Sequence, residues 1–197
     1  MYVENNSPKT EHSGRIEVIC GSMFSGKTEE LIRRINRVKI AKRDIAIFKP
    51  TIDQRYSTQD VVSHDKTAIE AIPIENSQSI LLLYHDADVV AIDEAQFFDR
   101  GIIDVCNTLA NSGVRVIIAG LDMDYQGVPF GPMPELCAIA DDVYKTRAVC
   151  VRCGQLANFS FRTAMCKDLV LIGEKDEYQP LCRHCYTELK RAAEAQQ

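Results

Sequence analysis

The chain has 197 residues, a formal net charge of −5 and eight cysteines. That length accommodates one well-buried core with a small appendage and is short for two full domains. The acidic balance argues against a protein whose task is to neutralise a nucleic-acid backbone, and no apolar run approaches the roughly 20 residues of a membrane span.

The first 14 residues, MYVENNSPKTEHSG, are polar and lack the apolar stretch of a secretion signal, so a soluble, cytoplasmic protein with reduced cysteines is expected. RIEVIC then reads as a short buried strand. The glycine-rich residues 21–28 lead into a helix with Leu31, Ile32, Ile35 and Val38 on one face. DIAIFKP is a second strand, stopped by Pro50, and the polar residues 51–66 form a loop. SILLLYHD is helical, VVAID a continuous apolar strand, IIDVCNTLANSG a helix closing at Gly113, and VRVIIAG another buried strand. Strands without polar alternation, separated by helices, require a parallel sheet covered on both faces. From about Cys150 the character changes to paired cysteines, an irregular polar stretch and a terminal helical segment, YTELKRAAEA.

GSMFSGKT matches the phosphate-loop pattern G-x-x-x-x-G-K-[ST] and lies between a predicted strand and a predicted helix, which is the context such a motif needs. Backbone N–H groups of Gly21, Ser22, Met23, Phe24, Ser25 and Gly26 would converge on phosphate oxygens of ATP, with the helix dipole behind them. Lys27 would reach the β- and γ-phosphates and Thr28 would bind magnesium. A magnesium site also needs a carboxylate at a neighbouring strand end, which Asp93 of D-E-A-Q supplies. Glu94, Ala95 and Gln96 complete that segment on the phosphate side. Glu94 would orient water in an ATPase or accept the proton of a substrate hydroxyl in a kinase, and alone it does not separate the two. Asp53 could assist magnesium through water and Arg55 could stabilise phosphoryl charge. By themselves, though, these loop charges and His64 read as solvated.

Cys150, Cys153, Cys182 and Cys185 form two C-x-x-C pairs, the spacing that presents four thiolates tetrahedrally to zinc. A redox dithiol would account for only one pair. Four thiolates leave no open coordination position, so such a metal folds the segment rather than catalyses, and it would pin the base of an extended loop over 154–181. His184 lies inside the second pair, which is already complete. Cys20, Cys106 and Cys137 sit in apolar contexts as ordinary buried thiols, and Cys166 has no matching partner.

The ordered set G-S-M-F-S-G-K-T, D-Q-R-Y, D-E-A-Q-F-F, G-L-D-x-D-Y-Q-G-x-P-F-G, S-F-R-T and I-G-x-x-x-x-Y within paired cysteines closely resembles the type II thymidine kinases, from about Arg15 to Tyr186. The resemblance implies transfer of the γ-phosphoryl group of ATP to the 5′-hydroxyl of thymidine, with deoxyuridine as a possible second substrate, and makes Glu94 the base. It also moves Asp53 and Arg55 to the phosphates. It implies a nucleoside pocket of Met23, Phe97, Leu121, Tyr125, Phe130 and Thr163. A zinc-tethered lasso would touch the base through Leu169, Val170, Leu171, Ile172, Gly173 and Tyr178. The family resemblance further implies a homotetramer inhibited by dTTP.

The expected architecture is therefore α/β, a P-loop NTPase-like, mostly parallel sheet flanked by helices, with a small zinc-ribbon lasso domain. Its parts would be a tail (1–14), the nucleotide-binding domain (15–149), the lasso domain (150–190) and a second tail (191–197). The competing reading is a nucleic-acid-dependent P-loop ATPase with a zinc ribbon, because D-E-A-Q also occurs in helicases. It lacks a second motor domain and a basic surface, so no nucleic-acid partner is expected.

Overall fold

The computed structural model describes residues 14–51, 60–62, 68–163 and 177–194. The chain begins with strand β1 (Arg15–Cys20), the phosphate-loop segment and helix α1 (Lys27–Ile40), as periodicity predicts. Strand β2 (Ile45–Pro50) keeps Pro50 as its last residue, paired in register with Ile74. The expected 51–66 loop contains strand β3 (Asp60–Val62), antiparallel to β4 (Ala68–Glu70), and β5 (Ile72–Ile74) follows. Helix α2 covers only Ser79–Leu83, because His85 and Asp86 adopt positive φ angles of 47° and 55°, which turn the chain out of the helix. Strand β6 (Val89–Ile92), helix α3 (Ile102–Asn111) and strand β7 (Arg115–Gly120) match expectation, whereas helix α4 (Met133–Ile139) and strand β8 (Asp142–Lys145) do not appear in the periodicity.

These elements make one six-stranded sheet in the order β5-β2-β6-β7-β1-β8, with every pairing parallel. Alternate residues supply its two faces. Ile19 and Ile117 pack with Leu31, Ile32, Ile35 and Val38 of α1. Val18 and Ile118 pack with Ile102, Val105 and Leu109 of α3 and with Met133 and Leu136 of α4. Among the described residues no helix is long and apolar enough to cross a membrane.

The apolar reading of RIEVIC conceals a buried charge. Glu17 is fully buried and accepts hydrogen bonds from Arg34 Nη1 at 2.6 Å, Arg115 Nε at 2.7 Å and Arg15 Nε at 2.6 Å. Arg34, also fully buried on the packing face of α1, reaches Glu30 at 2.9 Å as well. Burial alone would raise the Glu17 carboxyl, but the Arg115 hydrogen bond and the charges of Arg115, Arg15 and Arg34 outweigh it and hold it at about 2. A depressed carboxylate contributes stability that is complete above its unfolded value of 4.5 and is lost as pH falls towards about 2. Glu17→Gln should therefore destabilise the fold by about 3–5 kcal/mol at neutral pH, because it leaves buried guanidinium charge uncompensated. Urea midpoints of the two proteins should converge as pH drops through that window; a gap independent of pH would contradict the assignment.

Residues after β8 form a smaller unit. Strands β9 (Ala148–Val149) and β10 (Leu156–Ala157) pair antiparallel, as do β11 (Phe159–Arg162) and β12 (Tyr178–Leu181). The stretch read as irregular thus carries short strands. Helix α5 (Arg183–Glu194) starts inside the second cysteine pair, three residues before the predicted terminal helix. Ala157, Phe159, Leu181 and Tyr186 build a separate apolar cluster, in which Phe159 stacks on Tyr186 at 4.5 Å.

Candidate active site

In a parallel sheet all strand C-termini emerge on one edge, and that edge collects the segments singled out in the sequence. The phosphate loop follows β1, D-E-A-Q follows β6, L-D-M-D-Y follows β7, and Thr146 follows β8.

The loop is held in shape from both sides. Gly21 has φ 144°, and a Cβ there would lie 2.4 Å from the Thr146 carbonyl oxygen, so only glycine fits. Thr146 Oγ1 shares a 2.7 Å hydrogen bond with Ser25 Oγ and donates to the Cys20 carbonyl at 3.0 Å. Lys27 Nζ donates to the Ser22 carbonyl at 2.9 Å, folding the side chain over its own loop. The Met23 N–H donates to Ser160 Oγ of β11 at 3.0 Å. Phe24 sits at φ 62° and packs, half-buried, on the small cluster around Phe159 rather than in the sheet core to which its bulk would assign it. The phosphate loop is therefore physically joined to the cysteine-bearing unit.

Asp93 is buried at the end of β6, and its Oδ1 accepts the Glu94 N–H at 2.9 Å. Glu94 adopts a left-handed backbone, φ 51° and ψ 41°, and heads a 3-10 turn over Ala95–Phe97. That conformation costs a non-glycine residue about 1–2 kcal/mol and is typical of sites where a side chain must be aimed. Ala95 and Gln96 are buried.

Phe97 and Phe130 meet edge to face with centroids 5.6 Å apart, and both are half-buried, as are Met23, Leu121 and Tyr125. Tyr178 is buried and Thr163 exposed. Arg162 connects two of the tyrosines: its guanidinium carbon lies 3.8 Å from the Tyr125 ring centroid, and its Nε and Nη2 donate to Tyr178 Oη at 3.1 and 2.6 Å. Tyr186 Oη donates to the Tyr125 carbonyl at 2.9 Å. Arg162 and Tyr186 are the residues that sequence reasoning missed. The cation in S-F-R-T, directly before the expected pocket residue Thr163, was the available signal for the first. Asp53, Arg55, His64, Cys166 and Leu169, Val170, Leu171, Ile172 and Gly173 lie outside the described residues.

The four paired cysteines converge, with all four Sγ atoms within 4.8 Å of one another and Cys153 and Cys182 sulfurs 3.5 Å apart. Four thiolates around one zinc at about 2.3 Å would stand about 3.8 Å from each other, so the donor set fits that ion. Burial opposes ionisation of Cys150, but backbone N–H groups of Cys182, Arg152 and Cys153 directed at its sulfur outweigh it and bring its thiol down to about 6. The neighbouring thiols and burial hold Cys153 up and push Cys185 up to about 12, so the crowded set keeps protons that a metal would have to displace on binding. His184 points away, exposed and 3.4 Å from Glu188. Of the other thiols, Cys20 and Cys106 are buried and Cys137 is half-buried.

The family model for thymidine kinase matches residues 14–186. The chain is 64% identical over 186 residues to a thymidine kinase of Bacteroides fragilis strain YCH46, covering 94% of both chains. It is 61% identical to one of Porphyromonas gingivalis strain ATCC 33277, covering 93% of this chain and 90% of the relative. A thymidine kinase of Rhodothermus sp. strain ITI 518 is 54% identical over 88% of this chain and 81% of its own.

Proposed function

The chain belongs to the thymidine kinase family, and from that premise we propose that it transfers the γ-phosphoryl group of ATP to the 5′-hydroxyl of thymidine. The observation that carries this reading is the placement of Glu94 on the same sheet edge as the phosphate loop, aimed by a left-handed backbone. The phosphate-loop amides and Lys27 would hold the triphosphate, and Asp53 and Arg55 would add charge beside it. Thymidine would lie among Met23, Phe97, Leu121, Tyr125 and Phe130, an apolar slot suited to a flat base. Thr163, residues 169–173 and Tyr178 would close over it. Glu94 accepts the hydroxyl proton as the new oxygen–phosphorus bond forms and the bond to the β-phosphate oxygen breaks, releasing ADP.

Thr28 and Asp93 offer the hard oxygen donors that suit magnesium, which when bound neutralises charge on the β- and γ-phosphates. Cys150, Cys153, Cys182 and Cys185 would hold zinc, whose closed four-thiolate shell organises the small unit rather than the reaction. A homotetramer and feedback inhibition by dTTP complete the proposal, and rest on the family resemblance.

A nucleoside panel with labelled ATP tests the reading. Thymidine should be phosphorylated, deoxyuridine more weakly, and ribonucleosides not at all. ATP consumption that is rapid without nucleoside and no faster with thymidine would sink it.

A further inference from the structure

Glu94 does not hold its direction through its backbone alone. Gln96 Nε2 donates to Glu94 Oε2 at 2.5 Å, and at its other end Gln96 Oε1 accepts the N–H of Leu121 at 2.9 Å. The two contacts need opposite ends of one carboxamide, a donor for the carboxylate and an acceptor for the backbone amide, so they also decide which way the amide faces. Gln96 is only 3% exposed. Glycine backbone crowds it from two sides. A Cβ on Gly131, at φ 52°, would lie 2.2 Å from the Gln96 carbonyl oxygen, and one on Gly120 would lie 2.9 Å from its Oε1. A buried polar side chain so enclosed has little freedom to find other partners.

We propose that Gln96 is a positioning residue for phosphoryl transfer. Its amide aims the Glu94 carboxylate and ties it to Leu121, placing the proton acceptor and one wall of the nucleoside pocket on a common frame. This assigns Gln96 a role through Glu94 rather than on the phosphates, and it rests on the kinase reading above. The frame spans the ends of β6 and β7, so the base is registered against a strand that it does not belong to. Misplacement of a reacting group by about 1 Å can cost on the order of 100-fold in rate, which makes such registration worth a buried amide.

Gln96→Glu separates positioning from mere structural support, because it keeps the acceptor for Leu121 N–H and replaces the donor to Glu94 by a second carboxylate. The variant should lose about 100-fold in kcat, with KM for thymidine and ATP little changed; two buried carboxyls this close hold one proton between them, so its urea midpoint should fall as pH rises and that proton is lost, a pH dependence the wild type lacks. Gln96→Leu, which removes both hydrogen bonds, should lose kcat to a similar extent and also lose stability. In a Glu94→Gln background, adding Gln96→Glu should cost less than about threefold, since no base remains to be aimed. An active wild type whose Gln96→Glu variant keeps its turnover, or a double variant in which the two losses multiply, would overturn the positioning role alone. A wild type unable to phosphorylate thymidine would overturn the kinase reading and this inference with it.

Discussion

Replacing Glu94 by glutamine should lower turnover by about 10²–10⁴-fold, the usual contribution of a positioned general base, while ATP and thymidine still bind. Glutamine preserves the size of the side chain and an acceptor oxygen for Gln96 Nε2, so the turn over Ala95–Phe97 and the ring pair Phe97–Phe130 keep their support. What is lost, on the proposed mechanism, is the ability to take a proton from the nucleoside hydroxyl as it attacks. A residue acting only in the transition state lowers kcat and kcat/KM together and leaves ground-state binding alone. Steady-state kinetics with thymidine, paired with calorimetric titration of ATP and thymidine separately, would read both quantities. Retention of more than about a tenth of the turnover would mean that the hydroxyl loses its proton to another acceptor.

Removing the zinc proposed for the four-cysteine centre should have a comparable effect by a different route. Structural zinc contributes about 10–16 kcal/mol to small zinc-dependent folds, far more than the apolar cluster of Ala157, Phe159, Leu181 and Tyr186 can replace. Loss of that unit would not stay local. The Met23 amide is held by Ser160, Phe24 packs on the Phe159 cluster, and Tyr186 secures the Tyr125 carbonyl, so the phosphate loop and the nucleoside side both lose contacts. Cys150→Ser, or stripping with a strong chelator, should therefore reduce kcat/KM for thymidine by about 100-fold or more, in the range seen when a site is displaced by 1 Å. The far-ultraviolet signal of the main sheet should largely persist, because its two cores are built without the cysteine unit. Elemental analysis should find about one zinc per chain in the native protein. A fully active preparation holding almost no metal would refute the structural role.

How much of this was legible depends on how local each signal is. The strand–loop–helix around residues 21–28 was readable because its glycines, its Lys-Thr end and the 3.6-residue spacing of Leu31, Ile32, Ile35 and Val38 all lie within one stretch of chain. The strand ending at D-E-A-Q and the two C-x-x-C turns were readable for the same reason. Strands β5 and β8 and helix α4 were not, because IPI, DVYK and MPELCAI are too short to show a period, and only neighbouring strands and helices confer their conformation. The polar stretch between the cysteine pairs concealed strands β10, β11 and β12 for that reason too.

By itself the sequence determined the class of chemistry: a phosphate loop, a carboxylate pair at a strand end and four cysteines at metal-ligand spacing, each specified by residue type and spacing over a few positions. Only the tertiary structure decided how those parts act on one another. It buried Glu17 among Arg15, Arg34 and Arg115, seated Phe24 against the cysteine unit, set Arg162 between Tyr125 and Tyr178, and used Gln96 to join Glu94 to Leu121. Most of these contacts link residues far apart in the chain. Periodicity and spacing carry no information about such pairs, whose energies exist only once the sheet has brought them within hydrogen-bond range and excluded water.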